Sequence, residues 1–211
     1  MICVENVSVQ YGNKRILQDI NLEIEAGKRV AIIGRNGTGK STLLQIMAGI
    51  ITPLEGTISY FGENVTSKRK RFSHYCGYVS QDNPLLEELS VLDNLRLWNG
   101  GFRLEQTEIL SMNGLSEMEG ERVSTLSGGM KRRLTIACAM LHMPPVMLMD
   151  EPTTALDIYY KEQIWEWMDQ YQKRNGTIVM VTHDRQEMEQ CDKIYEVKNK
   201  GILQGGELEN E

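Results

Sequence analysis

Arg29-Val30-Ala31-Ile32-Ile33-Gly34-Arg35-Asn36-Gly37-Thr38-Gly39-Lys40-Ser41-Thr42 is the stretch that decides the architecture. A short apolar run enters a glycine-rich loop, and residues 41–49 then carry apolar side chains at helical spacing. Strand, loop and helix therefore follow in order. Gly34 to Ser41 match G-x-x-x-x-G-K-[ST] in the strand-to-helix context that this motif requires. Glycines let backbone N–H groups of Gly34, Arg35, Asn36, Gly37, Thr38 and Gly39 converge on the β- and γ-phosphates of a nucleotide, and the positive helix N-terminus assists them. Lys40 adds a mobile cation, and the Ser41 hydroxyl is suited to coordinate Mg2+. The competing reading, a glycine-rich turn that binds nothing, leaves the full motif and its context unexplained.

Two more continuous apolar runs, Val146-Met147-Leu148-Met149 and Thr177-Ile178-Val179-Met180-Val181, alternate with helical patterns. This is the signature of a parallel sheet covered on both faces. The N-terminal stretch differs. Val4, Val7 and Val9, then Ile16, Ile20, Leu22 and Ile24, flank Gly12-Asn13 and read as an antiparallel pair. After Gln81 the period becomes helical, with Leu89, Leu92, Leu95, Leu97, Leu104, Ile109 and Leu110, until Pro144-Pro145 returns the chain to the sheet. The expected organisation is one α/β unit. Residues 1–81 and 144–211 form a nucleotide-binding core with an antiparallel β subdomain, residues 82–143 an inserted helical subdomain, and the acidic tail 205–211 is frayed.

Two carboxylates close the second apolar run. Asp150 and Glu151 stand at the C-terminal end of a parallel strand, where ligands of open α/β sheets sit. Asp150 suits a Mg2+ shell, and Glu151 the acceptance of a proton from an attacking water. A strand ending in an acidic turn is common by itself, so the pair gains meaning from the phosphate loop. Leu126-Ser127-Gly128-Gly129-Met130 opens a helix with Ser127 as N-cap and two glycines baring the first backbone N–H groups. That is either an ordinary capped helix or a second anion site. Lys131-Arg132-Arg133 reads mostly as a solvated face, and Lys68-Arg69-Lys70-Arg71 as a solvated turn.

Composition narrows the partners. The 211 residues suit one domain, and a formal net charge of −6 gives no overall reason to bind nucleic acid. Cys3, Cys76, Cys138 and Cys191 are scattered without C-x-x-C spacing, as expected of reduced thiols in a cytosolic protein. Met1-Ile2-Cys3-Val4-Glu5 carries no export signal, and no apolar run approaches the roughly 20 residues of a membrane span, so any membrane role is expected to come through a partner.

A phosphate loop, then L-S-G-G, then Asp150-Glu151-Pro152-Thr153-x-x-Leu156-Asp157 resembles the ATP-binding-cassette family over nearly the whole chain. The resemblance implies a RecA-like P-loop fold that binds Mg-ATP. It also implies a head-to-tail dimer, with itself or with a paralogous ATPase subunit, in which Ser127, Gly128 and Gly129 of one chain close over the γ-phosphate on the other. Further roles come by resemblance alone. Tyr11 would stack on adenine, and Gln81 would join Mg2+ and the attacking water to the helical subdomain. Ala155-Leu156-Asp157 would cross between subunits, and His183 would contact the γ-phosphate. Leu85, Leu86, Leu89, Leu92 and Trp98 lie where such proteins receive their membrane permeases.

The implied activity is ATP hydrolysis that drives a separate transmembrane permease from the cytoplasmic side of the membrane. A non-transport cassette ATPase of DNA repair or the ribosome is the alternative. Met130 departs from the glutamine that usually ends the signature, and L-S-G-G-M followed by basic residues is similar to the bacterial exporters of drugs, lipids and polysaccharides.

Overall fold

The computed structural model describes residues 1–98 and 106–205. Strands β1 (Ile2–Tyr11) and β2 (Lys14–Ile24) pair antiparallel around the turn at Gly12-Asn13, with Tyr11 opposite Lys14. Two elements that the sequence pattern does not announce, β4 (Glu55–Tyr60) and β5 (Glu63–Asn64), extend this sheet on the other side of β1. Glu55-Gly56-Thr57-Ile58-Ser59-Tyr60 buries only Ile58 and Tyr60 fully, too weak an alternation to read unaided.

The second sheet runs β10-β9-β3-β8-β7-β6, built from β3 (Arg29–Ile33), β6 (Cys76–Val79), β7 (Val146–Asp150), β8 (Thr177–Val181), β9 (Lys193–Lys198) and β10 (Gly201–Gln204). All its pairs are parallel except β9 with β10. The expected strands 29–33, 146–149 and 177–181 lie side by side at its centre as β3, β7 and β8.

Their continuous apolar character has a direct cause. Val146, Leu148, Val179 and Val181 belong to one apolar cluster, whereas Met147, Met149, Ile178 and Met180 belong to another. Successive side chains of a strand point to opposite faces, and here both faces are covered, so the central positions are all apolar and the polar Arg29, Asp150 and Thr177 stand at strand ends. Each such side chain stabilises the fold by about 1.5–3 kcal/mol on full burial.

Helix α1 (Lys40–Met47) packs Leu43, Leu44, Ile46 and Met47 into the first cluster together with the antiparallel sheet. Helices α3 (Val91–Trp98), α4 (Gln106–Met112), α5 (Gly128–Ala139) and α6 (Ile158–Lys173) cover the other face, with Val91, Leu95, Ile109, Leu134, Ile164 and Trp167 in the second cluster. The helical stretch between β6 and β7 thus shares its apolar interior with the parallel sheet. Leu97, read as part of the helical stripe, is exposed. Leu104 and the tail 206–211 lie outside the described residues, and Gly205 donates its N–H to Ile194 O. The basic run 68–71, expected as a solvated turn, instead caps and opens α2 (Arg69–Tyr75), and Lys68 and Arg71 both pair with Glu63.

Candidate active site

The C-terminal ends of β3, β6, β7 and β8 bring residues 34–41, Gln81, Asp150, Glu151 and His183 to one end of the parallel sheet. The loop 34–41 wraps the N-terminus of α1. Gly34 has φ +142, and a Cβ there would stand 2.5 Å from Val197 O, so this position excludes any side chain. Lys40 is only 6% exposed, and its Nζ donates to the carbonyls of Gly34 (2.8 Å) and Arg35 (3.1 Å). Burial lowers its pKa, while the nearby carboxylates of Glu151 and Asp150 push the other way. Thr38 closes the loop by donating its hydroxyl to Arg35 O at 2.9 Å.

A cavity of about 200 Å3 opens beside this loop, lined by Tyr11, Ile16, Gly37, Gly39, Lys40, Ser41 and Thr42. Tyr11 is half-exposed on its rim. Arg35 and Asn36 are exposed at the tip of the loop.

Across from the loop, Asp150 ends β7 buried, and its carboxylate accepts a hydrogen bond from Ser41. Burial raises its pKa. Asp150 Oδ1 has no hydrogen-bond partner among the described residues although no water reaches it. A buried carboxylate oxygen next to a serine hydroxyl is a hard-oxygen donor pair, and a divalent cation such as Mg2+ fits it.

Glu151 follows in the left-handed region at φ +46, a conformation that costs a non-glycine residue about 1–3 kcal/mol. Its Oε2 accepts from Thr154 Oγ1 at 3.0 Å and from Gln81 Nε2 at 3.3 Å, and its Oε1 lies 3.7 Å from His183 Nε2. Gln81, Glu151 and His183, 102 residues apart from first to last, therefore meet on one carboxylate.

Two residues that hold this arrangement escaped the sequence reading. Arg132 sits in a basic triplet that looks solvated, yet it is only 4% exposed. Its guanidinium donates to the carbonyls of Asp150 (2.8 Å), Glu151 (3.1 Å), Pro152 (2.8 Å), Ser80 and Gln81. It clamps the strained turn after β7 to the loop after β6. Burial brings its pKa down to about 10, so it remains a cation at neutral pH.

Arg132→Met is expected to lower the unfolding free energy by about 3 kcal/mol in urea titration, because it orphans several buried carbonyls at once. A loss below about 1 kcal/mol, the scale of a surface change, would refute the clamp. The second residue is Glu187, buried on α7 (Arg185–Glu189), which accepts hydroxyl hydrogen bonds from Thr153 (2.8 Å) and Thr182 and so ties the loop after β7 to the one carrying His183.

Ser127 caps α5, accepting from Met130 N at 3.3 Å, and its hydroxyl donates to Tyr160 OH at 2.9 Å. Ser127, Gly128 and Gly129 do not line the cavity at the phosphate loop. One chain thus carries an assembled cluster around Glu151 and a separate capped helix start.

Solved structures share this architecture. The dimeric ATP-binding cassette MJ0796, in a post-hydrolysis state bound to ADP and Pi, is similar over 100% of both chains with a TM-score of 0.87 and 28% identity. Among curated proteins, a sulfate/thiosulfate import ATP-binding protein, CysA 2 of Rhizobium meliloti (strain 1021), is 34% identical over 95% of this chain and 58% of its own length. A Nod factor export ATP-binding protein I of Rhizobium meliloti is 35% identical over 92% of this chain and 60% of its own. The chain therefore spans somewhat less than two thirds of these two relatives. Residues 17–154, which run from β2 through the phosphate loop and the 126–129 turn to the strained Glu151, match the family model described as ABC transporter, and the chain belongs to that family.

Proposed function

We propose that this chain is an ATPase subunit that drives a separate membrane permease by ATP-dependent dimerisation. The observation that carries the reading is the meeting of Gln81, Glu151 and His183 on one carboxylate beside the phosphate loop, while Ser127 to Gly129 stand apart from it. A complete site then requires a second chain, itself or a paralogue, placed head to tail. The dimeric ADP- and Pi-bound neighbour supports that arrangement.

In this reading Tyr11 stacks on adenine at the rim of the cavity, backbone N–H groups of residues 34–39 and the Lys40 ammonium hold the β- and γ-phosphates, and Thr42 lines the same cleft. Ser41, Asp150 and Gln81 would hold Mg2+, which when bound neutralises charge on the phosphates. Glu151 orients the attacking water and takes its proton. His183, 3.7 Å from Glu151, would contact the γ-phosphate. Across the interface, Ser127 and the N–H groups of Gly128 and Gly129 complete the phosphate cage.

In the same reading residues 82–143 form a helical subdomain inserted in the nucleotide-binding core of 1–81 and 144–211. A groove lined by Tyr78, Pro84, Leu85, Trp98, Thr135, Cys138 and Ala139, with Leu86, Leu97 and Trp98 exposed nearby, would receive the permease. No helix of the described residues is long and apolar enough to cross a membrane. Attachment to the cytoplasmic face would then come through that permease.

The relatives' transport names favour this over a DNA-repair or ribosomal ATPase. Those names include import and export at like identity, so export rests on Met130 and the basic residues after it.

A site shared by two chains makes turnover second order in protein at low concentration. ATP hydrolysis is expected to rise with the square of protein concentration under saturating Mg-ATP, and Ser127→Arg to abolish it while leaving ATP binding intact. A specific activity independent of dilution would overturn the shared site.

A further inference from the structure

Tyr160 stands three residues after Asp157, in the first turn of α6, and Asp157 Oδ1 accepts its backbone N–H at 3.1 Å. Its side chain reaches back to the start of α5. The phenol oxygen lies 2.9 Å from Ser127 Oγ. The ring covers Gly129 so closely that a Cβ there would fall 2.2 Å from Tyr160 Cγ, so the second glycine of the turn is required by this ring. The Arg133 guanidinium sits over the same ring at 5.8 Å from its centroid, and the Tyr159 ring meets it edge-on at 5.3 Å. Tyr160 is thus held from several sides, and its hydroxyl meets that of Ser127.

A serine side chain has three staggered rotamers, of which a given target uses one. Ser127 Oγ accepts from Met130 N and donates to the Tyr160 hydroxyl. A phenol O–H both donates and accepts. When the serine proton turns to an anion, the Tyr160 proton can rotate to donate to Ser127 Oγ, which then accepts from both Met130 N and Tyr160 OH and loses no partner. The hydroxyl is then aimed without desolvation of an orphaned group.

We propose that Tyr160 is a positioning residue that presents the Ser127 hydroxyl to the γ-phosphate bound on a partner chain, and that it ties the 155–157 segment to the 126–129 turn through the first turn of α6. The proposal rests on the reading of Ser127 as a trans phosphate ligand. The interchain segment and the phosphate-closing turn then move as one piece.

A thermodynamic cycle in the full chain tests it. In a Glu151→Gln background, which permits ATP-bound dimers to accumulate, dimer dissociation constants are measured by sedimentation with Mg-ATP for the background, Tyr160→Phe, Ser127→Ala and the double variant. Tyr160→Phe keeps the ring and removes one hydrogen bond at each of the two shared sites, so the dimer should weaken by about five-fold per site, about twenty-five-fold in all. ATP affinity of the dilute monomer and melting temperature should stay unchanged.

Adding Tyr160→Phe to Ser127→Ala should change nothing further, because the phenol would act through the serine. Additive losses, or an unchanged dimer in Tyr160→Phe beside a weakened one in Ser127→Ala, would overturn the proposal. A lowered melting temperature that accounts for the weakened dimer would do the same, marking Tyr160 as merely structural. An unchanged dimer in Ser127→Ala would instead remove the trans role of Ser127 on which it stands.

Discussion

Glu151→Gln is expected to lower steady-state ATP turnover by about a thousand-fold, within the range general base catalysis supplies. The amide matches the carboxylate in size and occupies a turn that Arg132 and the Val181 carbonyl already hold, since Glu151 N donates to Val181 O at 2.9 Å. The fold should therefore survive. What disappears is the charge and basicity of the carboxylate on which Thr154, Gln81 and His183 converge, together with one of its two acceptor oxygens. ATP binding should persist, and ATP-bound dimers should accumulate because the step that reopens them is blocked. Turnover assays with light scattering check both halves. Unchanged turnover would remove Glu151 from the chemistry and direct attention to another base.

Lys40→Ala carries the second large effect. The ammonium is buried beside the cavity, and it donates to Gly34 and Arg35 carbonyls from which it can swing to phosphate oxygens. Charge-assisted hydrogen bonds are each worth about 1.5–3 kcal/mol, so losing two of them lowers ATP affinity by about a hundred-fold or more. Isothermal titration calorimetry measures this directly, and retention of normal affinity would defeat the phosphate-loop assignment.

Lys40→Arg refines the test. The guanidinium keeps the charge but is larger and planar and does not reproduce the point-like ammonium that donates to the Gly34 and Arg35 carbonyls, so affinity should remain well below that of the parent. Recovery by arginine would mean that charge alone suffices.

Much of the fold was legible because its central strands are covered twice. A strand buried on both faces has little place for polar residues except at its ends, so β3, β7 and β8 stand out as apolar runs. Strands at the margins gave no such signal. In β9 only Tyr195 and Val197 are fully buried, and β10 is edge-exposed, so hydrophobic periodicity does not mark them. The same rule explains the site. Residues 34–41 announce themselves because a backbone cradle for phosphate demands glycines at fixed spacing, whereas Gln81 and His183 are single polar residues that only the family resemblance pointed to.

Arg132 and Tyr160 mark where local sequence stops informing. A basic triplet on a helix reads as a solvated face, since long cations are seldom buried. Yet the carbonyls gathered at Ser80, Gln81, Asp150, Glu151 and Pro152 supply enough acceptors to hold a buried guanidinium. Those acceptors lie 18–52 residues away along the chain and exist as a set only once β6 and β7 are paired.

Tyr160 likewise follows a motif without belonging to it, and its meaning comes from a ring pressed on Gly129. By itself the sequence determined the strand–loop–helix unit, the acid pair and the capped turn at Ser127, because each is specified by contiguous residues obeying backbone and capping chemistry. Only the tertiary structure decided which loops share donors and acceptors, because a hydrogen-bond network between distant segments is a property of strand order and helix packing that no contiguous stretch encodes.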